Sequence, residues 1–305
     1  MRTEVTSDMI RAWYAKEDVQ YEIVKNLQDK EVIFMQPEKT KLPKSEPGTK
    51  PKMHEYDDEN RVIWGIKAFS VKYLKEAFDH WKFFEKRKNI YYTVDNYDDI
   101  PTFSYDLNLK YKQLEDWVKN HKAHMKSMDF VLDFDMPEEE KKPFIKYRRE
   151  NPDIIKLTKC YIDCKRVKTL FDHSNVPYTL CFSGMGFHMR IRGEDARLIM
   201  PEWDKDAALY RRVINTLRTW CNTSTLDTTI YTKRRLWKAE YTLDVNRNIV
   251  LIPLSDEDFE KFDIRKYRVQ YCLKRNYKNR GLLYRYLKIN DAKLLFKSIL
   301  SSEVK

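Results

Sequence analysis

The chain has 305 residues and 42% apolar content, with 20 Tyr, 15 Phe and 7 Trp, enough for one large core or two small ones. Only 6 glycines are present, and neither a GxxxxGK(S/T) nor a GxGxxG string occurs, which argues against a P-loop or a Gly-rich dinucleotide site. The formal net charge is +11, which favours a polyanionic partner, and no apolar run approaches the roughly 18 residues of a membrane span.

Residues 1–35 read as a helix followed by a short strand. Arg2, Glu4 and Asp8 interrupt the opening, so no secretory signal is expected there. Segment 36–52 (QPEKTKLPKSEPGTKPK) is rich in Pro and Lys and reads as a mobile loop. A strand is expected over 61–69 and a helix over 71–86, with Tyr73, Leu74, Phe78 and Trp81 on one face. A second strand is expected over 89–97 and a further helix over 110–121.

The pattern is clearer in the centre. MDFVLDFD (128–135) reads as one buried strand. Residues 153–172 read as a helix with Leu157, Cys160, Cys164, Val167 and Phe171 spaced by three or four. Strands follow at 178–182 and 188–191, then a helix over 204–220 that Asp204 could cap. Strands are expected near 227–243 and 248–253, then a basic, mainly helical tail. Strands and helices alternate with hairpin-like contacts, the pattern of an α/β or α+β enzyme domain.

Three short segments carry chemistry. In VLDFDMP, Asp133 and Asp135 sit one residue apart on an apolar strand, so they share a face, with Cα atoms about 6–7 Å apart. Paired carboxylates select hard cations such as Mg²⁺ or Mn²⁺. Read alone, DxD is short and common, and a strand end with two solvated acids accounts for it. The second segment, FSGMGFHMRI (182–191), holds two of the six glycines. Such a turn can present backbone N–H groups to phosphate oxygens, and Ser183 adds a hydroxyl. His188 and Arg190 alternate with apolar neighbours and share one face. Read alone, this too is a plain hairpin turn. The third is LDTTIYTKRRLWKAEYTLDVNRNIVLIPL (226–254).

In order, the chain carries hhDhD, SGxGxH, and an Asp followed by RLW and a strand pair. This triplet resembles the archaeo-eukaryotic primase superfamily, over about 125–255 and more weakly upstream at DKEVIFM (29–35) and IYYTVDNY (90–97). The resemblance implies an α+β fold, with an RRM-like catalytic sheet packed against an N-terminal α/β unit. The parts would be 1–125, with the loop at 36–52; a catalytic part, 126–255; and a basic helical segment, 256–305. It implies that Asp133, Asp135 and Asp227 hold two Mg²⁺ or Mn²⁺ ions. Ser183, Gly184, Gly186 and His188 would bind the nucleotide's phosphates, with Arg190, Arg235 and Lys238 as further nucleotide-binding charge. Two departures stand out. The SGMGFH turn is shorter than that of the small primase subunit and is closer to plasmid, viral and repair members. Where the family has a Ser-Leu-His-x-Lys segment, this chain reads Thr242-Leu243-Asp244-Val245-Asn246, with Arg247 beside it.

Cys160, Cys164 and His173 lie where the family often inserts a zinc site. The four-ligand spacing of a structural zinc is absent, and both cysteines fall on an expected buried helix face, so zinc is not expected. The five cysteines form no CxxC pair, which fits a reducing compartment: the cytoplasm, a nucleoid or a viral replication site. From Lys261 onward, 13 Lys or Arg oppose 3 Asp or Glu. Tyr267, Tyr271, Tyr277, Tyr284 and Tyr286 are interleaved with these charges, a mixture suited to phosphates and bases, and equally to a tail packed on its own domain.

Two functions stay open on the sequence. One is a primase or primase-polymerase acting on a single-stranded DNA template and primer duplex with nucleoside triphosphates; a large primase subunit or a helicase is a candidate partner, and a repair polymerase is a variant of this reading. The other is an inactive or partner-dependent nucleic-acid-binding subunit, which the change at Asp244 and Asn246 would suit.

Overall fold

The computed structural model describes residues 5–27, 30–35, 89–97, 125–147, 151, 153–201, 207–228, 236–277 and 289–302. The elements expected at 36–52, 61–69, 71–86 and 110–121 lie outside these described residues. No helix among the described residues is long and apolar enough to cross a membrane.

Two helices, rather than one, open the chain. Thr6 caps α1 (Ser7–Tyr14) by accepting from the Met9 amide at 3.2 Å. Ala15 closes that helix onto the Arg11 carbonyl, and α2 (Glu17–Leu27) restarts with Glu17 and Asp18 in its first turn, where acids suit the helix dipole. Ile10, Trp13 and Tyr14 from α1, with Val19, Ile23 and Leu27 from α2, are buried.

Strand β1 (Lys30–Met35) pairs antiparallel with β2 (Asn89–Tyr97). The other edge of β2 is shared by two short strands. β3 (Met125–Met128) pairs through Asp95–Tyr97, and a strand at Leu236–Lys238 pairs through Tyr91–Thr93. A second antiparallel sheet places β6 (Phe187–Ile191) between β4 (Phe130–Phe134) and β5 (Thr179–Phe182). Single bridges extend both edges, Phe134 with Leu226 and Cys181 with Pro253. With Leu236–Lys238 as β7, the last strands are β8 (Leu243–Asp244) and β9 (Ile249–Val250), which form a small hairpin.

The single strand expected over 128–135 is divided. At Asp129 the backbone leaves the first sheet and enters the second, its N–H donating to the Val94 carbonyl at 2.8 Å. The buried Asp129 carboxylate secures the switch. It lies 2.8 Å from Lys30 Nζ, accepts from the Gly193 amide at 2.8 Å and from Asn96 Nδ2 at 3.1 Å, and stands 3.6 Å from Arg190 Nε.

Helices cover the sheets. α3 (Glu138–Tyr147) follows β4, and α4 (Lys159–His173) buries Cys160, Tyr161, Cys164, Val167 and Phe171. The helix expected from 153 begins as a 3₁₀ turn, Ile154–Leu157, because the Thr158 hydroxyl donates back to the Ile155 carbonyl at 2.6 Å. Leu157, expected on the apolar face, is therefore exposed. α5 (Gly193–Ile199) and α6 (Ala207–Trp220) come next. The C-terminal part contains α7 (Asp256–Glu260), a 3₁₀ turn, α8 (Val269–Cys272) and α9 (Ile289–Ser301). Phe130 joins them at the centre, 5.2 Å from the Tyr210 ring and 6.1 Å from Phe296. The architecture is a mixed α/β one with small antiparallel sheets.

The tail tyrosines divide. Tyr267 and Tyr277 are core residues, Tyr267 stacked on Phe262 at 5.2 Å, so neither ring is available to a base. Tyr271 is exposed, with the Arg275 guanidinium 4.7 Å over its ring. Tyr284 and Tyr286 lie outside the described residues.

Candidate active site

The C-terminal end of β4 organises the site. Asp133 is the penultimate residue of the strand, directly opposite His188 of β6. Its Oδ1 lies 3.6 Å from His188 Nε2. Asp135 follows the strand and is about half exposed; its Oδ1 accepts from the Met136 amide at 2.9 Å and its Oδ2 from Lys141 Nζ at 3.1 Å. Asp227 arrives on the extended segment beside β4, its backbone N–H donating to the Asp133 carbonyl at 2.9 Å. The Asp135 amide donates to the Thr225 carbonyl at 3.1 Å. The backbone thus brings all three sequence-predicted acids to one strand end. Among the described residues, however, no three His, Cys, Asp or Glu side chains converge into a group able to hold an ion.

Asp163 is a supporting residue that the sequence reading missed. From α4, its fully buried carboxylate accepts from the Ser224 amide at 2.8 Å, the Thr225 amide at 3.0 Å and the Thr225 hydroxyl at 3.0 Å. These bonds fix the segment that carries Asp227. The available signal was an acid beside Cys164 on the apolar face of α4, where a carboxylate needs donors to be tolerated.

The glycine turn lies against the same strand end. The Ser183 amide donates to the Gly186 carbonyl at 2.9 Å and the Gly186 amide to Ser183 Oγ at 3.2 Å. A Cβ on Gly186 would fall 1.9 Å from the Phe134 carbonyl oxygen, so only glycine lets the turn close on β4. Gly184 has φ +102°, and a Cβ there would meet Arg247 Cδ at 2.7 Å.

Beside this turn is a compact charged group. Lys238 Nζ and Arg247 Nη1 each lie 2.6 Å from Oδ2 of Asp244. Burial alone would raise the Asp244 pKa, but the two cations hold it below the ordinary carboxylate value. His188 is largely enclosed, its ring 4.2 Å from that of Trp237. Burial, reinforced by Lys238 and Arg247, drives its pKa down to about 3, so the imidazole is neutral at pH 7. Its Nδ1 is buried and has no hydrogen-bond partner among the described residues. The sequence reading singled out Lys238 and noted Arg247; the structure adds Asp244 as the group that joins them.

Arg190 shares a strand face with His188, as expected, but points its charge into the core. Its side chain is 3% exposed, Nη1 donating to Tyr92 Oη at 2.7 Å and lying 3.0 Å from Glu240. That charge is matched inside the protein by Glu240 and Asp129. Arg235 lies outside the described residues. Cys160 and Cys164 are buried in α4, and burial pushes the Cys160 thiol up to about 12. His173 Nδ1 lies 2.7 Å from the Thr169 carbonyl oxygen.

No protein-family model and no curated protein matches this sequence. Its fold does match a solved structure, described as the polymerase domain from Mycobacterium tuberculosis ligase D in complex with DNA. The TM-score is 0.53 at 14% sequence identity, over 94% of this chain and 92% of that one. The chain therefore shares the fold of that polymerase domain, and the function must be argued from the site.

Proposed function

We propose that the chain is a metal-dependent nucleotidyltransferase of the primase-polymerase kind, extending or starting strands on a DNA template. One observation supports this reading: within a fold shared with a polymerase domain, the backbone brings Asp133, Asp135 and Asp227 to one strand end beside the Ser183–Gly186 turn, with His188 paired across from Asp133. The β4–β6–β5 sheet is the part assigned to the RRM-like catalytic unit, 126–255. Residues 1–125 form the N-terminal unit and 256–305 the basic segment.

The donor set suits Mg²⁺ or Mn²⁺, since all three groups are carboxylates. Loading requires the side chains to draw together and Lys141 to release Asp135, to which it is now paired. When bound, two such ions would activate the attacking hydroxyl and stabilise the leaving pyrophosphate. The chain's own groups do the rest. The Gly184 and Met185 amides, which take no part in the turn's own hydrogen bonds, and the Ser183 hydroxyl orient the phosphates. His188, neutral and fixed against Trp237, donates one hydrogen bond without adding charge. Lys238 supplies positive charge beside it, and Arg235 is proposed as a further positive group. The polymerase domain of the matched structure was solved with DNA, and a DNA template and primer are the proposed partners here. Exposed basic residues of the C-terminal segment are the natural phosphate contacts.

The test is incorporation of labelled nucleotides on a primed single-stranded template and, separately, on an unprimed one, with Mg²⁺ or Mn²⁺. Template-directed product is expected, and its loss in Asp133→Asn and Asp135→Asn at unchanged thermal stability. Equal product from these variants would sink the reading. A second reading, a partner-dependent binding subunit, draws on Asp244, which engages two cations where the resembling family has His and Lys. Metal-dependent incorporation by the isolated chain excludes it. The unprimed reaction separates a primase from a repair polymerase.

A further inference from the structure

We infer that Arg247 is the residue that grips the triphosphate tail, and that Asp244 is its positioning residue, the pair replacing the His and Lys that the sequence lacks. The inference rests on the proposed nucleotidyltransferase reading and deepens it at the same site.

The geometry specifies Arg247 closely. Asp244 Oδ1 accepts from the Arg247 backbone amide at 3.2 Å, capping the 3₁₀ turn Val245–Arg247, while its Oδ2 lies 2.6 Å from Nη1. One carboxylate therefore fixes both the main chain and the guanidinium. The same Oδ2 takes Lys238 Nζ at 2.6 Å, so two cations share one anion and the group keeps a positive charge. The arginine's aliphatic stem lies across Gly184, where a Cβ would stand 2.7 Å from Cδ and 3.6 Å from Nε. A residue with a side chain at 184 would expel it. The guanidinium thus stands over the anion-accepting turn, and the side chain is 39% exposed while Asp244 is 2% exposed. Buried anchor and open fork are the arrangement for a planar donor presented to phosphate oxygens. In this chain the cation sits three residues beyond the position that resembles the family's histidine, and the acid at that position holds it there.

Isothermal titration of the full chain in Mg²⁺ with a nucleoside triphosphate and the matching monophosphate, read beside incorporation kinetics, tests this. Arg247→Ala should weaken triphosphate binding about tenfold or more and leave the monophosphate within about threefold, because the lost contacts are charge-assisted hydrogen bonds to the tail. KM for the triphosphate should rise with kcat little changed. Asp244→Asn should weaken triphosphate binding in the otherwise wild-type chain and have no further effect on Arg247→Ala. A fold defect would instead act in both backgrounds. Gly184→Ala, which displaces the arginine from the turn, provides a second variant if Asp244→Asn does not fold. Unchanged triphosphate affinity in Arg247→Ala would overturn the inference, and so would tighter binding in Asp244→Asn, which would make the carboxylate a blocking group. Incorporation by the wild type with no dependence on Arg247 would remove this inference alone. Triphosphate binding that depends on Arg247, without incorporation, would uphold it and remove the nucleotidyltransferase. Absence of triphosphate binding by the wild type would overturn both.

Discussion

The two ends of β4 treat their acids in opposite ways. At the entry, Asp129 is sealed in the core between Lys30 and Arg190, with Arg190 also bonded to Glu240 and Tyr92. At the exit, Asp133 and Asp135 are partly exposed, at 24% and 52%. His188 and Arg190 stand two residues apart on one face of β6, yet each belongs to a different end. Matched, desolvated charge at the entry fixes where the chain passes from one sheet to the other. Accessible acid at the exit is where the proposed cation and nucleotide would bind.

Breaking the closed end should have the largest effect on stability. Asp129→Asn removes the anion between two buried cations, and the expected cost is about 3–5 kcal/mol in urea unfolding at pH 7. Burial would raise the Asp129 pKa, but Lys30 and Arg190 hold it below the ordinary value. In acid the unfolded carboxylate takes up a proton near its usual pKa of about 3.9, before the folded one does. The Asp129 contribution is therefore complete above that pH and fades as pH falls through the depressed folded value. The stability gap between wild type and Asp129→Asn should accordingly narrow below about pH 4; a gap independent of pH would show that the charge is not what matters there.

Asp163 links the two behaviours, since it is buried like Asp129 but serves the open end. Asp163→Ala strands the Ser224 and Thr225 donors and should cost about 3 kcal/mol. By letting Asp227 drift from Asp133 it should also lower incorporation on the order of 10²-fold. Unfolding curves and turnover measured on one preparation check both, and full activity in the folded variant would sever Asp163 from the site. The smallest effect belongs to Lys141. Its pair with Asp135 is partly exposed, so Lys141→Ala should change stability by less than about 1 kcal/mol. Freed of that partner, Asp135 should take its cation more readily, and the Mg²⁺ concentration for half-maximal activity should fall a few-fold. A rise would mean that Lys141 helps to hold the site.

The difference between the ends also decided what could be read from the sequence. The exit end was legible because its acids, its glycines and His188 follow strand alternation within two short segments. β2 was legible over its whole length for the same reason. The entry end was not, because Lys30, Asp129, Arg190 and Glu240 are scattered along the chain and meet only in the folded sheet pair. Arg190 was placed with the nucleotide by its two-residue spacing from His188, but spacing fixes a face, not the end toward which a long side chain reaches. Asp163 escaped for a related reason: it acts on a segment distant in sequence through a buried carboxylate that composition cannot reveal. Asp244 and Arg247 were both visible in the sequence, but not that the acid engages Arg247 and Lys238 together. Tyr267 and Tyr277 carry the same lesson, since an aromatic among basic residues suits a core as well as a base stack.

The most direct test of the open end as a catalytic site is nucleotide incorporation on a primed DNA template by the purified full chain, wild type beside Asp133→Asn. The account predicts metal-dependent, template-directed extension by the wild type and none by the variant, with both proteins unfolding at the same temperature. Equal extension by the two, or none by the wild type with either Mg²⁺ or Mn²⁺, would contradict it.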